Sequence, residues 1–274
     1  MSRIFELLRR LEEGGSTAHE MLLPGWPGEQ PGRTAIAFRD QDCAPDSERL
    51  IVTEQNHLAA AEAFRRLRYQ LEQSRARQAL TTVLVTSAVP REGKTLVALN
   101  LALTLALAVT PVLLVDGDLR QPGVPAALGL PPAEGLAEAL ERRGQWRDAV
   151  RRVRPYGVYY LPAGVPTTSP GELLASAALR ALLQEAARGF AWVIVDSPPL
   201  AAFADSLQLA SAADGVLLVG REGVTPEPAL RHAIQALQRF PLLGLVLNGS
   251  MTDATEYYHG YTAPQLAAGK DAVS

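Results

Sequence analysis

Cysteine is almost missing from this chain: Cys43 is the only one in 274 residues. That excludes an internal disulfide framework and fits a reducing compartment. Lysine is nearly as scarce. Of 26 basic residues only Lys94 and Lys270 are lysines; the rest are arginines. A basic excess is also lacking. The 26 Lys and Arg face 29 Asp and Glu, a net charge of −3, so no nucleic-acid partner is expected. The N-terminus has no apolar core of a secretory signal, because Met1 to Glu13 is charged throughout. The longest apolar stretch, Leu96 to Val115, has the length of a membrane span, but Pro111 breaks it and Asp116 follows. It reads as a buried helix running into a buried strand. These absences predict a cytoplasmic chain. Its 47% hydrophobic and 20% charged content excludes wholesale disorder.

What is present divides into three parts. In residues 1–47, Ile4, Leu7, Leu8 and Leu11 repeat at helical spacing over 3–13, and an aperiodic Gly/Pro-rich linker follows. Residues 48–250 become regular. Leu50-Ile51-Val52 reads as a short strand or anchor, and 57–76 as a helix with Ala60, Phe64, Leu67 and Leu71 on one face. Apolar strands are expected at Thr82–Thr86, Val112–Val115, Val158–Leu161, Trp192–Val195, Val216–Val219 and Leu243–Leu247. Helices are expected between them at 94–109, 133–142, 171–188, 204–211 and 227–239. Strands apolar throughout suggest burial on both faces. The alternation predicts a three-layer α/β fold, a mostly parallel central sheet flanked by helices, with ligands at the strands' carboxyl ends. Residues 251–274 form a tail in which Tyr257, Tyr258 and Tyr261 lie close together.

Three motifs sit at predicted strand ends. Ser87-Ala-Val-Pro-Arg-Glu-Gly-Lys-Thr95 ends in the Gly-Lys-Thr half of a phosphate loop, with Ala88 where the first glycine would stand. Backbone N–H groups at such a turn cradle phosphate, Lys94 can reach the β- and γ-phosphates, and the Thr95 hydroxyl can ligate Mg²⁺. The alternative is a plain helix cap with a solvated lysine. Val115-Asp116-Gly117-Asp118 puts two carboxylates on one side of an extended segment, suited to metal or proton work or to a simple turn. Val195-Asp196-Ser197-Pro198 ends another strand in an aspartate, again a metal-side motif or a turn.

Taken in order, SAVPREGKT, LLVDGDLRQP and VIVDSPP resemble the bacterial tyrosine kinases of capsule and exopolysaccharide synthesis, relatives of the MinD/ParA ATPases. The weaker points AEAFRRLRYQL, LPAG, SPGELL and LGLVLNGS agree, over about residues 48 to 250. The resemblance implies ATP and Mg²⁺ as cofactors. It implies a nucleotide site of Val89, Pro90, Arg91, Glu92, Gly93, Lys94, Thr95 and Leu96, with Asn248 at the adenine. A turn at a strand edge is the other reading of Asn248. Thr95, Asp116, Asp118 and Asp196 would serve the metal; Lys94, Asp116 and Asp118 would be catalytic, with Asp116 the base. Glu62, Arg65 and Arg68 match the family's interface motif and imply a ring-like homo-oligomer, although their spacing alone reads as a solvated charged face. Tyr257, Tyr258 and Tyr261 would be phosphorylated by a neighbouring subunit, or pack back on the domain. A separate membrane activator, a chain-length regulator of polysaccharide, is an expected partner, with a cognate tyrosine phosphatase, and would hold the kinase at the inner membrane face. Helix 3–13 would dock to that partner or pack on the core.

Two departures stand out. Arg91 replaces a glycine of the family's loop: it adds charge, points outward, or opposes a glycine-only conformation. Val89 occupies the place of the signature lysine of MinD/ParA proteins. The rival functions are a MinD/ParA-like assembly ATPase and a nucleotide-binding scaffold without kinase activity.

Overall fold

The computed structural model describes residues 38–43, 50, 58–108, 111–142 and 146–249. Helix 3–13, Ile51, Val52 and the tyrosine tail lie outside these. The strands are β1 (Arg39–Asp42), β2 (Thr82–Ser87), β3 (Val112–Asp116), β4 (Arg151–Arg154), β5 (Val158–Leu161), β6 (Trp192–Asp196), β7 (Gly215–Arg221) and β8 (Leu242–Asn248). The helices are α1 (Leu58–Arg75), α2 (Lys94–Ala106), α3 (Val124–Leu128), α4 (Leu136–Arg142), α5 (Trp146–Ala149), α6 (Pro170–Leu174), α7 (Ala177–Gly189), α8 (Asp205–Ala212) and α9 (Glu227–Ala236). One eight-stranded sheet runs β1-β4-β5-β3-β6-β2-β7-β8, parallel throughout except between β4 and β5. The three-layer α/β expectation holds.

The central strands β2, β3 and β6 are buried at every residue. Alternate side chains enter two separate cores. Leu84, Leu113, Val115, Val193 and Val195 join one; Val83, Val85, Leu114 and Ile194 join the other with the apolar helix α2. That is why these strands lack hydrophobic alternation: neither face meets water.

Three differences from the sequence expectations have local causes. The strand β1 lies inside the stretch expected to be linker. Its residues, RDQD, carry no apolar signal, and it is the partner's charge that receives them: Arg154 meets Asp42 at 2.9 Å and Asp40 at 3.6 Å. The antiparallel β4 is likewise arginine-rich and was not expected. The single helix expected over 171–188 is two. Ser176 leaves the helical region at ψ 152°, and its hydroxyl donates back to the Leu173 carbonyl at 2.6 Å.

The LPAG segment is a docking platform for α4. Leu136 N–H donates to the Pro162 carbonyl at 2.7 Å and Ala137 N–H to the Ala163 carbonyl at 2.9 Å. Glu138 closes the join, its carboxylate accepting from Gly135 N–H at 2.7 Å and Val165 N–H at 2.8 Å. A Cβ on Gly135 would lie 2.0 Å from the Pro162 carbonyl oxygen. Gly135→Ala should therefore lower stability by about 1–3 kcal/mol through overpacking, read as a lower urea midpoint at unchanged slope.

Candidate functional site

The site lies at the carboxyl ends of β2, β3 and β6. β2 delivers the chain into the loop 88–93, and Gly93 opens α2. Here Gly93 has φ +90°, and a Cβ on it would lie 2.1 Å from Asn248 Nδ2. Both backbone conformation and close approach thus require glycine. The Asn248 amide donates to the Glu92 carbonyl at 2.9 Å, while its Oδ1 accepts from Gly249 N–H. The Asn248 side chain thus braces the loop 88–93 from the end of β8.

Arg91 is the one non-glycine residue at positive φ among the described residues, at +66°. Of the three readings of this departure, the structure shows a glycine-type conformation occupied by an exposed arginine. Its carbonyl accepts a long contact from Arg221 Nη1 at 3.5 Å. Glu92 does the opposite: it is fully buried, its carboxylate accepting from Val89 N–H at 2.9 Å and from the Thr225 hydroxyl. The Glu92 side chain shapes the loop from inside rather than facing a ligand. Pro90 is exposed at the turn, and Leu96 packs against the α2-side core.

Lys94 Nζ sits 3.3 Å from Asp118 Oδ2 and 3.4 Å from the Thr95 hydroxyl. Asp116 and Asp196 are directly paired positions of neighbouring strands, both completely buried. Gly117 permits this closeness, since a Cβ there would lie 2.6 Å from the Asp196 carbonyl oxygen. The carboxylate of Asp116 accepts from Asp118 N–H at 3.2 Å and Val124 N–H at 3.3 Å. Burial, then the Asp196 charge, nevertheless holds its pKa well above the ordinary carboxylate value. Burial likewise raises Asp196 to about 6, with Lys94 and then Thr95 pulling it back. Neither Asp196 oxygen has a hydrogen-bond partner of normal geometry among the described residues.

The structure thus brings together Lys94, Thr95, Asp116, Asp118 and Asp196. No three acidic, imidazole or thiol groups among the described residues converge tightly enough to cage a metal alone. Two unpartnered carboxylate oxygens beside a threonine hydroxyl fit a Mg²⁺ site completed by phosphate and water, which is how that ion is usually held. Glu62, Arg65 and Arg68 all lie in the first eleven residues of α1, apart from this cluster, at successive i, i+3 positions of one helix. Arg65 pairs with Glu62 at 2.8 Å, whereas Arg68 pairs with Glu72 of its own helix at 3.6 Å and reaches the Thr104 carbonyl of α2 at 3.4 Å. Sequence reasoning missed Thr225, Arg221 and the ion pair of Arg120 with the buried Asp205, at 2.7 Å. The Arg of DGDLR was visible, but its partner lies 85 positions on, beyond any local pattern.

Two changes test these points. Asp196 bears a raised pKa, so between about pH 4 and 6 the folded chain keeps a proton that the unfolded chain has released. Its contribution to stability falls as pH rises through this window, and the cost is complete above about pH 6, at up to about 3 kcal/mol. Asp196→Asn should therefore raise the Tm of the nucleotide- and Mg²⁺-free chain at pH 8, with the gain vanishing toward pH 4. Arg91→Gly should add up to about 1 kcal/mol by relieving the left-handed conformation, and Arg91→Ala should not, as thermal melts would show.

No protein-family model matches the chain. It is 35% identical to tyrosine-protein kinase YwqD of Bacillus subtilis (strain 168) over 204 residues, 73% of this chain and 86% of that protein. It is 32% identical to succinoglycan biosynthesis transport protein ExoP of Rhizobium meliloti (strain 1021), over 77% of this chain but only 29% of that one. The solved kinase domain of the Escherichia coli tyrosine kinase ETK matches with a TM-score of 0.71 at 27% identity, covering 81% of this chain and 86% of that one.

Proposed function

Because the chain belongs to the bacterial tyrosine-protein kinases, we propose that it transfers the γ-phosphoryl group of ATP to Tyr257, Tyr258 and Tyr261 of a neighbouring copy. The observation that carries this reading is Lys94 held between Asp118 and Thr95, above the buried Asp116/Asp196 pair. The lysine ammonium would swing from Asp118 to the β- and γ-phosphates. Loop N–H groups and the start of α2 would hold the phosphate oxygens. A tyrosine phenol oxygen would attack the γ-phosphorus as the bond to the bridging β–γ oxygen breaks. Its proton would pass to the carboxylate of Asp116. Thr95, Asp118 and Asp196 would hold Mg²⁺, which when bound supplies positive charge against the transferring phosphoryl group.

The wider setting is part of the same reading. Exopolysaccharide synthesis or export as the regulated process is supported by the likeness to ExoP, a transport protein by name. Self-association through Glu62, Arg65 and Arg68, Asn248 near the adenine, a membrane activator and a phosphatase follow from the family's pattern. No helix of the described residues is long and apolar enough to cross a membrane, which suits attachment at the inner membrane face through a partner. Tail phosphates, each about −1.5 to −2 in charge, would repel neighbouring copies and loosen a ring.

Incubation with Mg-ATP followed by mass mapping should place phosphate on the tail tyrosines, and Lys94→Met should lower the rate at least about 100-fold. ADP release without phosphotyrosine would identify an assembly ATPase instead; neither product would identify a scaffold.

A further inference from the structure

Arg120 stands two residues past Asp118, exposed where Asp118 is buried, and feels the Asp118 charge. Its Nε donates to Asp205 Oδ2 at 2.7 Å and its Nη2 to Oδ1 at 3.4 Å. The Asp205 carboxylate is almost wholly buried, so this fork holds the guanidinium plane in place. The guanidinium carbon also lies 3.8 Å from the centre of the Phe203 ring, which is 44% exposed. Two of five N–H groups are spent on Asp205, leaving three donors for another acceptor. An internal staple needs no aromatic platform open to solvent. A fixed cation beside an exposed ring is instead suited to a carboxylate with an aromatic neighbour.

The chain contains such a ligand. Residues 251–261 read MTDATEYYHGY, with Asp253 and Glu256 before the tyrosines and no Lys or Arg among them. Glu256 immediately precedes Tyr257. We infer that Arg120 and Phe203 form the acceptor-docking element, binding the Glu256 carboxylate of another copy's tail so that Tyr257 is presented to the phosphoryl site. Arg120 is then a positioning residue that selects acidic tyrosine segments. Arg91 and Arg221, the other exposed cations by the loop, lie on the β7–β8 side with Asn248. Arg120, in contrast, lies four positions after Asp116, the carboxylate assigned to the phenol. The inference rests on the kinase reading.

The test uses the full chain carrying Tyr257→Phe, Tyr258→Phe and Tyr261→Phe, with a peptide of residues 250–263 as acceptor and a second peptide carrying Glu256→Gln. With Arg120 present, the Glu256→Gln peptide should show a KM about fivefold higher at similar kcat. In the Arg120→Gln chain the original peptide should lose the same factor, the two peptides should become equal, and the KM for ATP should not move. Phe203→Ala should weaken the preference. Equal KM values for both peptides with Arg120 present would overturn the inference, as would an Arg120→Gln effect that left the peptide preference intact. If Arg120→Gln fails to fold, the peptide comparison on the parent chain decides by itself. A wild-type tail labelled normally while the peptide is ignored sinks the docking element but spares the kinase. Failure to label either substrate removes both.

Discussion

A single ammonium group carries the electrostatics of this site. Asp116, Asp118 and Asp196 converge at the ends of two neighbouring buried strands, and Lys94 is the cation that answers them. Carboxylates in that setting repel and are poorly solvated, so two of the three have raised pKa values. Burying these carboxylates together is costly, and under the proposed function a nucleotide with its metal would relieve that cost. The chain spells nearly all its positive charge as arginine, yet the one lysine in its described part stands here. A compact ammonium can shift between a carboxylate and a phosphate in a way that a planar fork cannot.

Around this centre the loop is supported from three directions. Glu92 ties the inside of the turn to Val89 and Thr225. Asn248 holds the Glu92 carbonyl from the last strand. Gly93 leaves the gap into which that amide fits. Arg91 is tolerated in a conformation that favours glycine because the residues beside it are so firmly fixed, which is the usual condition for backbone strain at functional sites.

The fold was legible wherever burial alone decides structure. β2, β3, β5 and β6 were visible as short apolar runs because both faces are covered, and their ends carried the acids into view. Lys94, Thr95, Asp116, Asp118 and Asp196 could be placed in one site because strand ends of a parallel sheet share an edge. What escaped notice depends on pairing across long separations. β1 and β4 are stabilised by complementary charge, which has no periodicity. Asp205 lies in the expected helix 204–211, and nothing local marks it as the partner of an arginine 85 positions away. Asn248 ends β8, and a side-chain amide at that strand end gives no local sign that it also holds a loop carbonyl.

The two cores on either face of the sheet make neighbours in sequence strangers in space. Leu113 and Leu114 are adjacent, yet one packs with Val193 and the other with Ile194 on the opposite side. Volume changes at 113 and 114 therefore enter separate packing problems and can drift independently. Leu113 and Val193, eighty positions apart, cannot, since they share one wall of one core. The unit in which this chain can tolerate change is the face of the sheet rather than the strand.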